Sequence, residues 1–346
     1  MRRREFITLL GDAAKPRKAE ERMIARRLIL GAAIAAGILG VAPKVAAQGY
    51  PEKPVKLIVP FPAGGPIDTM ARFMTQALGT RFSQSIVIEN RPGGGATIAT
   101  RFVAASPPDG YTLLFGSSGS LAVAPALYST LDYDPVTSFG PVAQVAIMQQ
   151  LMVIRPDIPA NTVAEFVDYA KARPGKLSYG AAIATPPHLM STMFKVKAGI
   201  DSLYVPYKGS APSVTDLLGG VTHWTIDGIP TLAPFAKDGR LRALAVASTE
   251  RWSEMPQIPT MLEEGFPDVT LNAWAGVVAP SGTAPAIVSK LNALIKEALA
   301  GEEIKPALAK LGAVPKTGSP AEFAAFIKAE VPKWAYAVKV AGAKID

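Results

Sequence analysis

A glycine pair lies between two different apolar patterns near the start of this chain. The segment from Val55 to Met74 reads VKLIVPFPAGGPIDTMARFM, with Gly64 and Gly65 between an apolar run and a pattern of helical period. Exposed backbone N–H groups at such a junction bind anions, because the helix dipole adds positive charge there. Pro66 suits a first helical turn, and Asp68 would share that turn. Composition alone leaves anion binding and a plain tight turn as about equal interpretations.

The residues after the glycines restrict the type of anion. No Gly-Lys-Ser/Thr comes after Gly65, so the loop is not a phosphate-binding P-loop. No G-x-G-x-x-G pattern occurs here, so the loop does not predict a dinucleotide site either. A second glycine loop, RPGGG at 91–95, is better interpreted as a structural turn. The GSSGS segment at 116–120 adds hydroxyl groups after an apolar strand, which is a weak signal by itself.

Patterns for catalysis and metal binding are missing from the sequence. The chain contains no cysteine, which excludes disulfides, thiolate nucleophiles and thiolate metal sites. Its two histidines, His188 and His223, have no carboxylates at ligand spacing, so we expect no metal. No G-x-S-x-G motif supports a serine nucleophile. We therefore expect no catalytic residues, no cofactor and no enzymatic activity.

The first 47 residues have the features of an export leader. Arg26 and Arg27 precede an apolar run of about 14 residues, which is short for a membrane span of about 20. The small residues 45–47 predict cleavage after Ala47, and the alternative is a permanent membrane anchor. Upstream, RREFI resembles a twin-arginine export motif. We favour Met23 as the true start of the protein; the alternative is that two leader-like segments lie in series.

Most of the positive charge belongs to this leader. Residues 1–47 contain 10 of the 36 Lys and Arg and 4 of the 28 Asp and Glu. The other residues include 26 Lys and Arg and 24 Asp and Glu, which gives them a net charge of about +2, compared with +8 for the whole chain. No basic block remains, so nucleic acid is not an expected partner. A cysteine-free exported chain fits the bacterial periplasm.

The elements that must position the glycine loop alternate between strand and helix patterns. This βαβ rhythm predicts a parallel, doubly wound α/β sheet in each of two lobes. Predicted strands are Val55–Pro60, Ser85–Glu89, Thr112–Phe115, Val142–Ile154, Leu177–Tyr179, Ser202–Pro206, Trp224–Ile226 and Ala243–Ala247, with a further strand in NAWAGVVAP. Predicted helices are Thr69–Leu78, Ala96–Ala105, Val163–Ala172, Pro285–Ala300 and Pro320–Val338, with others after Thr185 and in YKGSAPSVTDLLGG. Strand ends with small polar residues (PAGG, GSSGS, AIATPPH) predict a ligand cleft.

These segments, in this order, resemble one protein family. The motifs are YPEKPVKLIVPFPAGGPID, VIENRPGGGATIA, PDGYTLLFGSSGS, LDYDPVTSFGPVAQVA, KARPGKLSYG, YVPYKGSAPSVTDLLGG, GRLRALAVAS, WAGVVAPSGTAPAIVSKLN and LGAVPKTGSPAEFAAFIKAE. They resemble the receptors of tripartite tricarboxylate transporters, the Bug-type periplasmic solute-binding proteins, from about Tyr50 to Asp346. The resemblance implies a two-lobed, type II-like Venus-flytrap fold. It implies residues 48–148 with 272–346 as lobe 1, 149–271 as lobe 2, and hinges near 144–153 and 269–275.

The resemblance also implies what the chain binds and where. Family ligands are small carboxylates, including di- and tricarboxylic, amino and aromatic acids, which a monomeric receptor delivers to membrane permease subunits. The implied ligand-binding residues are Phe61, Ala63, Gly64, Gly65, Asp68, Ser118, Ser120, Thr185, His188, Tyr207 and Asp227. A sensory module for a signalling partner, and an enzyme acting on a carboxylate, remain the alternatives.

Two departures from the family pattern affect the second lobe. The family has glycines around Ile183, where this chain has Ala182 and Ala184 in a loop one residue shorter. An Asn commonly follows the aspartate at 227, but here Gly228 does. We therefore expect the proximal carboxylate site to match the family and the far end of the ligand to differ.

Overall fold

The computed structural model describes residues 49–182 and 185–343. The predicted leader, its cleavage site and the altered loop residues Ile183 and Ala184 lie outside these ranges. Within them, no helix is long and apolar enough to cross a membrane.

Strands and helices alternate along most of the chain. The strands are β1 Val55–Val59, β2 Ile86–Asn90, β3 Thr112–Ser117, β4 Phe139–Met148, β5 Gln150–Ile154, β6 Leu177–Ala182, β7 Ser202–Tyr207, β8 Trp224–Gly228, β9 Arg242–Ala247, β10 Ala273–Pro280 and β11 Ala313–Pro315. The α-helices are α1 Pro66–Leu78, α2 Thr97–Ala104, α3 Ala124–Leu127, α4 Val163–Lys171, α5 Pro186–Ala198, α6 Ser210–Leu218, α7 Ile229–Lys237, α8 Pro285–Ala300, α9 Ile304–Ala309 and α10 Pro320–Ala341. A π-helical turn at Gly119–Val123 precedes α3.

The strands form two sheets, each flanked by helices. The six-stranded sheet has the order β11-β4-β10-β3-β1-β2, and the five-stranded sheet has the order β7-β6-β8-β5-β9. The chain passes between the sheets twice, from β4 to β5 and from β9 to β10. The predicted two-sheet α/β fold is confirmed. The predicted lobe limits, 48–148 with 272–346 and 149–271, stay a prediction.

Both sheets are mixed rather than wholly parallel, which corrects the prediction from the βαβ rhythm. β1 pairs in parallel with β2 and β3, and β6 pairs in parallel with β7 and β8. β10 is antiparallel to β3 and β4, and β5 is antiparallel to β8 and β9. In each sheet an antiparallel strand therefore lies beside the parallel unit, at the places where the chain changes sheet.

The apolar run predicted as one strand over Val142–Ile154 is divided in the structure. β4 ends at Met148 and β5 begins at Gln150, so Gln149 separates strands that belong to different sheets. The Gln149 side chain donates to the backbone oxygen of Glu250 at 2.8 Å, and its N–H donates to the oxygen of Gly312 at 3.1 Å. One apolar run thus contributes to both sheets.

The long C-terminal helix α10 packs against elements of both sheets. It contacts β4 and the π-helical turn of the first sheet's part of the chain, and α5 of the second's. Trp334 of this helix is fully buried, and its indole N–H donates to Glu330 at 3.1 Å. Trp224 and Trp274, one from each sheet, are fully buried in the same apolar cluster as Trp334.

Candidate functional site

A cleft of about 850 Å³ opens where loops of the first sheet face the start of α5. Its first wall is the loop between β1 and α1, and its second is the turn after β3. Met148 and Ala273, at the two connections between the sheets, also line it. The full lining is Phe61, Pro62, Ala63, Gly64, Gly65, Pro66, Ile67, Gly95, Ser117, Ser118, Gly119, Val123, Ala124, Leu127, Tyr128, Met148, Thr185, Pro186 and Ala273.

None of these described lining residues carries a charged side chain. The polar groups of these residues are backbone amides and the hydroxyls of Ser117, Ser118, Tyr128 and Thr185. The rest of the wall is apolar, with Phe61, Ile67 and Leu127 as its larger side chains. Any anion held here must therefore be recognised by neutral donors and a helix dipole rather than by a cation.

The loop after β1 delivers the N-terminus of α1 to the cleft. Gly65 is the N-cap, with extended backbone and no side-chain cap, and Pro66 is the first helical residue. The amides of Ile67 and Asp68 therefore belong to the uncapped first turn, where a helix has no internal acceptors for its N–H groups. Gly64 has φ of 82°, a conformation that favours glycine.

Asp68 is buried beneath this loop, and its carboxylate accepts hydrogen bonds from three residues. The donors are the N–H of Gly64 at 2.8 Å, Arg72 at 2.8 and 3.1 Å, and the amide of Asn90 at 2.8 Å. Burial alone would raise the pKa of Asp68, but these bonds outweigh it and hold that pKa below its ordinary value. Asp68 is thus ionised and paired at neutral pH.

In the GSSGS turn, the first two serines line the cleft, and the last serine is buried in the protein interior. Ser117 and Ser118 line the cleft. The hydroxyl of Ser120 accepts from the N–H of Ser117 at 3.0 Å and donates to its carbonyl at 3.2 Å, which closes the turn. Ser120 is fully buried, and its own carbonyl accepts from Tyr133 at 2.8 Å.

The second sheet supplies the opposite edge of the cleft through the start of α5. Thr185 is the N-cap of α5, and its hydroxyl donates to the carbonyl of Ala182 at 2.6 Å. One turn later His188 is buried, with its ring stacked on Tyr204 at a centroid distance of 4.3 Å. Burial lowers the pKa of His188, so this histidine is neutral at neutral pH.

Tyr207 and Asp227 lie on the second sheet, and neither is among the residues that line the cleft. The Tyr207 hydroxyl donates to Asp216 at 2.6 Å, and burial together with Asp216 raises the pKa of Tyr207 to about 12. Asp227 is buried and accepts from the N–H of Gly228 at 2.6 Å. Burial raises the pKa of Asp227 against the opposing hydrogen bonds from Ser210 and Gly228.

The structure therefore brings together only part of the implied set. Phe61, Ala63, Gly64, Gly65, Ser118 and Thr185 line one cleft. Asp68, Ser120, His188 and Asp227 are buried outside this lining, and the half-buried Tyr207 lies on the second sheet. Their assignment as ligand contacts stays a prediction. Sequence reasoning missed Tyr128 and Gly95 in the lining and Asn90 behind the loop. The RPGGG segment at 91–95 is the available signal for Asn90 and Gly95, and its pattern favours a plain turn; no local pattern indicates Tyr128.

Known proteins are similar to this chain over most of its length. A family described as "Tripartite tricarboxylate transporter family receptor" matches residues 70–342. Protein BugT of Bordetella pertussis is 37% identical over 321 residues, covering 92% of this chain and 98% of BugT.

Two solved structures are similar over nearly their whole length. An R. palustris protein with adipate is 37% identical with a TM-score of 0.70, covering 86% of this chain and 100% of that one. MatC from Rhodopseudomonas palustris with bound malate is 32% identical with a TM-score of 0.67, covering 84% and 100%. The resemblance predicted from the motifs is confirmed, and the chain belongs to the tripartite tricarboxylate transporter receptor family.

Proposed function

We propose that this chain is a periplasmic receptor for a small carboxylic acid with an apolar body, which it presents to the membrane permease subunits of a tripartite tricarboxylate transporter. One observation carries the proposal: the uncapped N-terminus of α1 opens onto a cleft whose described lining has hydroxyls and apolar side chains but no charge. The similar proteins solved with adipate and malate support the carboxylate class. The family consists of solute-binding receptors rather than enzymes.

The carboxylate end of the ligand would bind at the first turn of α1. The amides of Ile67 and Asp68 supply donors there, and the helix dipole favours negative charge. The hydroxyl groups of Ser118 and Tyr128 are within the same cleft and can orient the acid. Because each additional carboxylate needs further donors when it leaves water, a densely charged tricarboxylate fits this wall less well than an acid with an aliphatic or aromatic spacer.

Capture would use the two connections between the sheets as a hinge. The lining includes residues attached to each sheet, Gly65 on one side and Thr185 on the other. A ligand that contacts both sides stabilises the closed arrangement by its differential affinity for it. The permease would then recognise the surface of the closed receptor. The export leader predicted over 1–47 would bring a monomeric protein to the periplasm.

The ligand class is tested by thermal shift on residues 48–346. The panel contains adipate, malate, benzoate and citrate, each tested against a no-ligand control at equal ionic strength. An acid at one hundred times its Kd should stabilise the protein by about 2.7 kcal/mol, a Tm rise of roughly 5 °C or more. We expect adipate or benzoate to exceed citrate. No shift from any acid, together with no acid released from gently purified protein in mass spectrometry, would contradict the carboxylate proposal.

A further inference from the structure

Asn90 joins both ends of the loop that forms the first wall of the cleft, although it does not belong to that wall. It is the last residue of β2, and its side-chain amide donates two hydrogen bonds. One goes to the carbonyl of Phe61 at 3.0 Å and the other to the carboxylate of Asp68 at 2.8 Å. Phe61 begins the loop and Asp68 follows it, so a single amide group fixes the distance between its ends.

The middle of the loop is held by the same network. Asp68, which Asn90 fixes, accepts a hydrogen bond from the N–H of Gly64 at 2.8 Å. Gly64 has φ of 82°, so this bond selects a backbone conformation that an extended chain does not adopt. The loop is therefore tied at its start, its middle and its end, by groups that lie behind it.

The charge of Asp68 would oppose an anion at the start of α1 if it were left unpaired. Arg72 prevents this with two bonds to the carboxylate, and its side chain points outward, with about half of its surface exposed. A bidentate guanidinium neutralises a carboxylate and also fixes its orientation. The network thus gives the loop an anchor without placing net negative charge beside the cleft.

We infer that Asn90 is a positioning residue that holds the loop at 61–65 in its ligand-binding conformation before any ligand arrives, acting through Phe61 and Asp68. A loop ordered in advance costs the ligand no ordering entropy, which raises affinity without a direct contact. The inference rests on the proposed function only in taking this loop as the carboxylate site.

The test compares two asparagines that each donate two hydrogen bonds from one side-chain amide, one behind the loop and one away from the cleft. Asn292, on α8, also donates from one amide to two carbonyls, those of Val142 at 2.8 Å and Gly318 at 2.9 Å, and it is not in the cleft lining. Asn90→Ala and Asn292→Ala therefore each remove two hydrogen bonds donated by one amide, and Asn90→Ala also removes a bond that Asn90 accepts from Arg72 at 3.4 Å. Asn90→Leu keeps the volume at 90 without the donors, and Tm confirms that each variant folds.

The first measurement is hydrogen exchange of the amides at 61–65 in ligand-free protein. Asn90→Ala and Asn90→Leu should speed exchange of the Gly64 amide about tenfold or more, because its acceptor Asp68 is then held by Arg72 alone and the start of the loop is released, while Asn292→Ala leaves it unchanged. Unchanged exchange in both Asn90 variants overturns the inference, whatever is found for binding.

The second measurement is affinity for adipate and malate by calorimetry. Both Asn90 variants should weaken binding about tenfold, and Asn292→Ala should not. Faster exchange with unaltered affinity would also overturn the positioning role. If the exchange results are as expected and neither these acids nor any other acid binds the native protein, loop positioning stands and the carboxylate proposal fails.

Discussion

Gly64 contributes to the cleft's first wall in two ways, through its backbone conformation and through the hydrogen bond of its N–H group. Its φ of 82° is a conformation that residues with a Cβ rarely adopt, although a Cβ there would meet no atom within 4 Å. Its N–H is also bonded to Asp68, so it is not a free donor for a ligand. The requirement for glycine is therefore conformational, and the ligand's donors must come from the amides of the next few residues.

Replacing Gly64 with valine should weaken ligand binding and leave the fold intact. A left-handed backbone costs a residue with a Cβ about 1–2 kcal/mol, so the loop relaxes to another conformation and its bond to Asp68 is lost. We expect the affinity for the acid identified by thermal shift to fall about tenfold or more. Calorimetry on Gly64→Val measures this directly.

Gly239 provides the matched control for that change. It has φ of 76°, no atom within 4 Å of the position that a Cβ would take, and a place in the turn between α7 and β9, outside the cleft lining. Gly239→Val should cost similar stability and leave affinity unchanged. Equal affinities for the two variants would show that the conformation of the Gly64 loop is irrelevant to binding.

The residues of the site differ in how far the sequence could predict them. The glycine pair, Pro66 and Asp68 lie within a few positions of each other, so local pattern was enough to place them at the start of a helix. Asn90 ends β2 and Tyr128 follows α3, so their approach to the glycine loop depends on the sheet order, which no local spacing encodes. Family resemblance named Ser120 and His188, but resemblance alone does not reveal that their side chains are buried behind the wall.

Among the elements, helix and strand types were more predictable than strand directions. The βαβ rhythm around β1, β2 and β3 predicted parallel neighbours correctly. β10 has the same apolar composition as a parallel core strand because it is buried on both faces, yet it runs antiparallel. Short elements such as α9 and β11 were not predicted, since their few residues carry too little periodicity.

The turn that leads into β11 touches the first residues of α7, which follow a strand of the other sheet. A Cβ added to Gly312 would lie 2.6 Å from Cδ of Pro230 and 3.2 Å from Cβ of Ile229. The carbonyl of Gly312 also accepts from the N–H of Gln149 at 3.1 Å. We call each sheet with its flanking helices a layer. The close approach of Gly312 to α7 therefore joins the two layers beside the connection from β4 to β5.

Gly312→Ala should destabilise the protein by forcing that contact apart. Overpacking typically costs about 1–3 kcal/mol, which for a chain of this size lowers Tm by roughly 2–6 °C. Calorimetric or fluorescence melting measures the change.

Gly282→Ala is the control that distinguishes the effect of the close contact at Gly312 from the effect of backbone strain at a positive φ. Gly282 also has positive φ, 84°, but its nearest neighbour would be Cβ of Pro108 at an ordinary 3.8 Å. If the two variants melt at the same temperature, the approach of Gly312 to Pro230 does not constrain the arrangement of the layers.

At the scale of the whole molecule, the cleft and the connections between the sheets are parts of one feature. Met148 ends β4 and Ala273 begins β10, and both line the cleft. We therefore expect a rotation at these connections to change the width of the cleft. Other links also cross between the sheets, including the ion pair of Lys316 with Glu250 and the packing of α10 against α5.

Ligand binding should change distances between the two layers but not within one. The chain has no native cysteine, so introduced cysteines can be labelled without background. Val136→Cys near the first sheet and Val221→Cys near the second place labels on exposed side chains. Saturating acid should shift the distance between them, measured by double electron–electron resonance.

A pair within the first layer tests whether the shift reports hinge motion. Ile98 is 47% exposed, and Ile98→Cys with Val136→Cys reports on the first layer alone. That distance should stay constant when ligand is added. An inter-layer distance that also stays constant at saturation would contradict closure and favour a receptor that binds without moving.

The position of β10 has a consequence for how the chain acquires its structure. The second sheet uses one continuous stretch, residues 150–247, and can form as soon as that stretch is available. The first sheet cannot, because β10 pairs with both β3 and β4 and arrives only at residue 273. Until then β3 and β4 each expose an unpaired edge, which is where extended chains aggregate or engage chaperones. The order of folding should therefore be the reverse of the order of the chain, with the first sheet completed last.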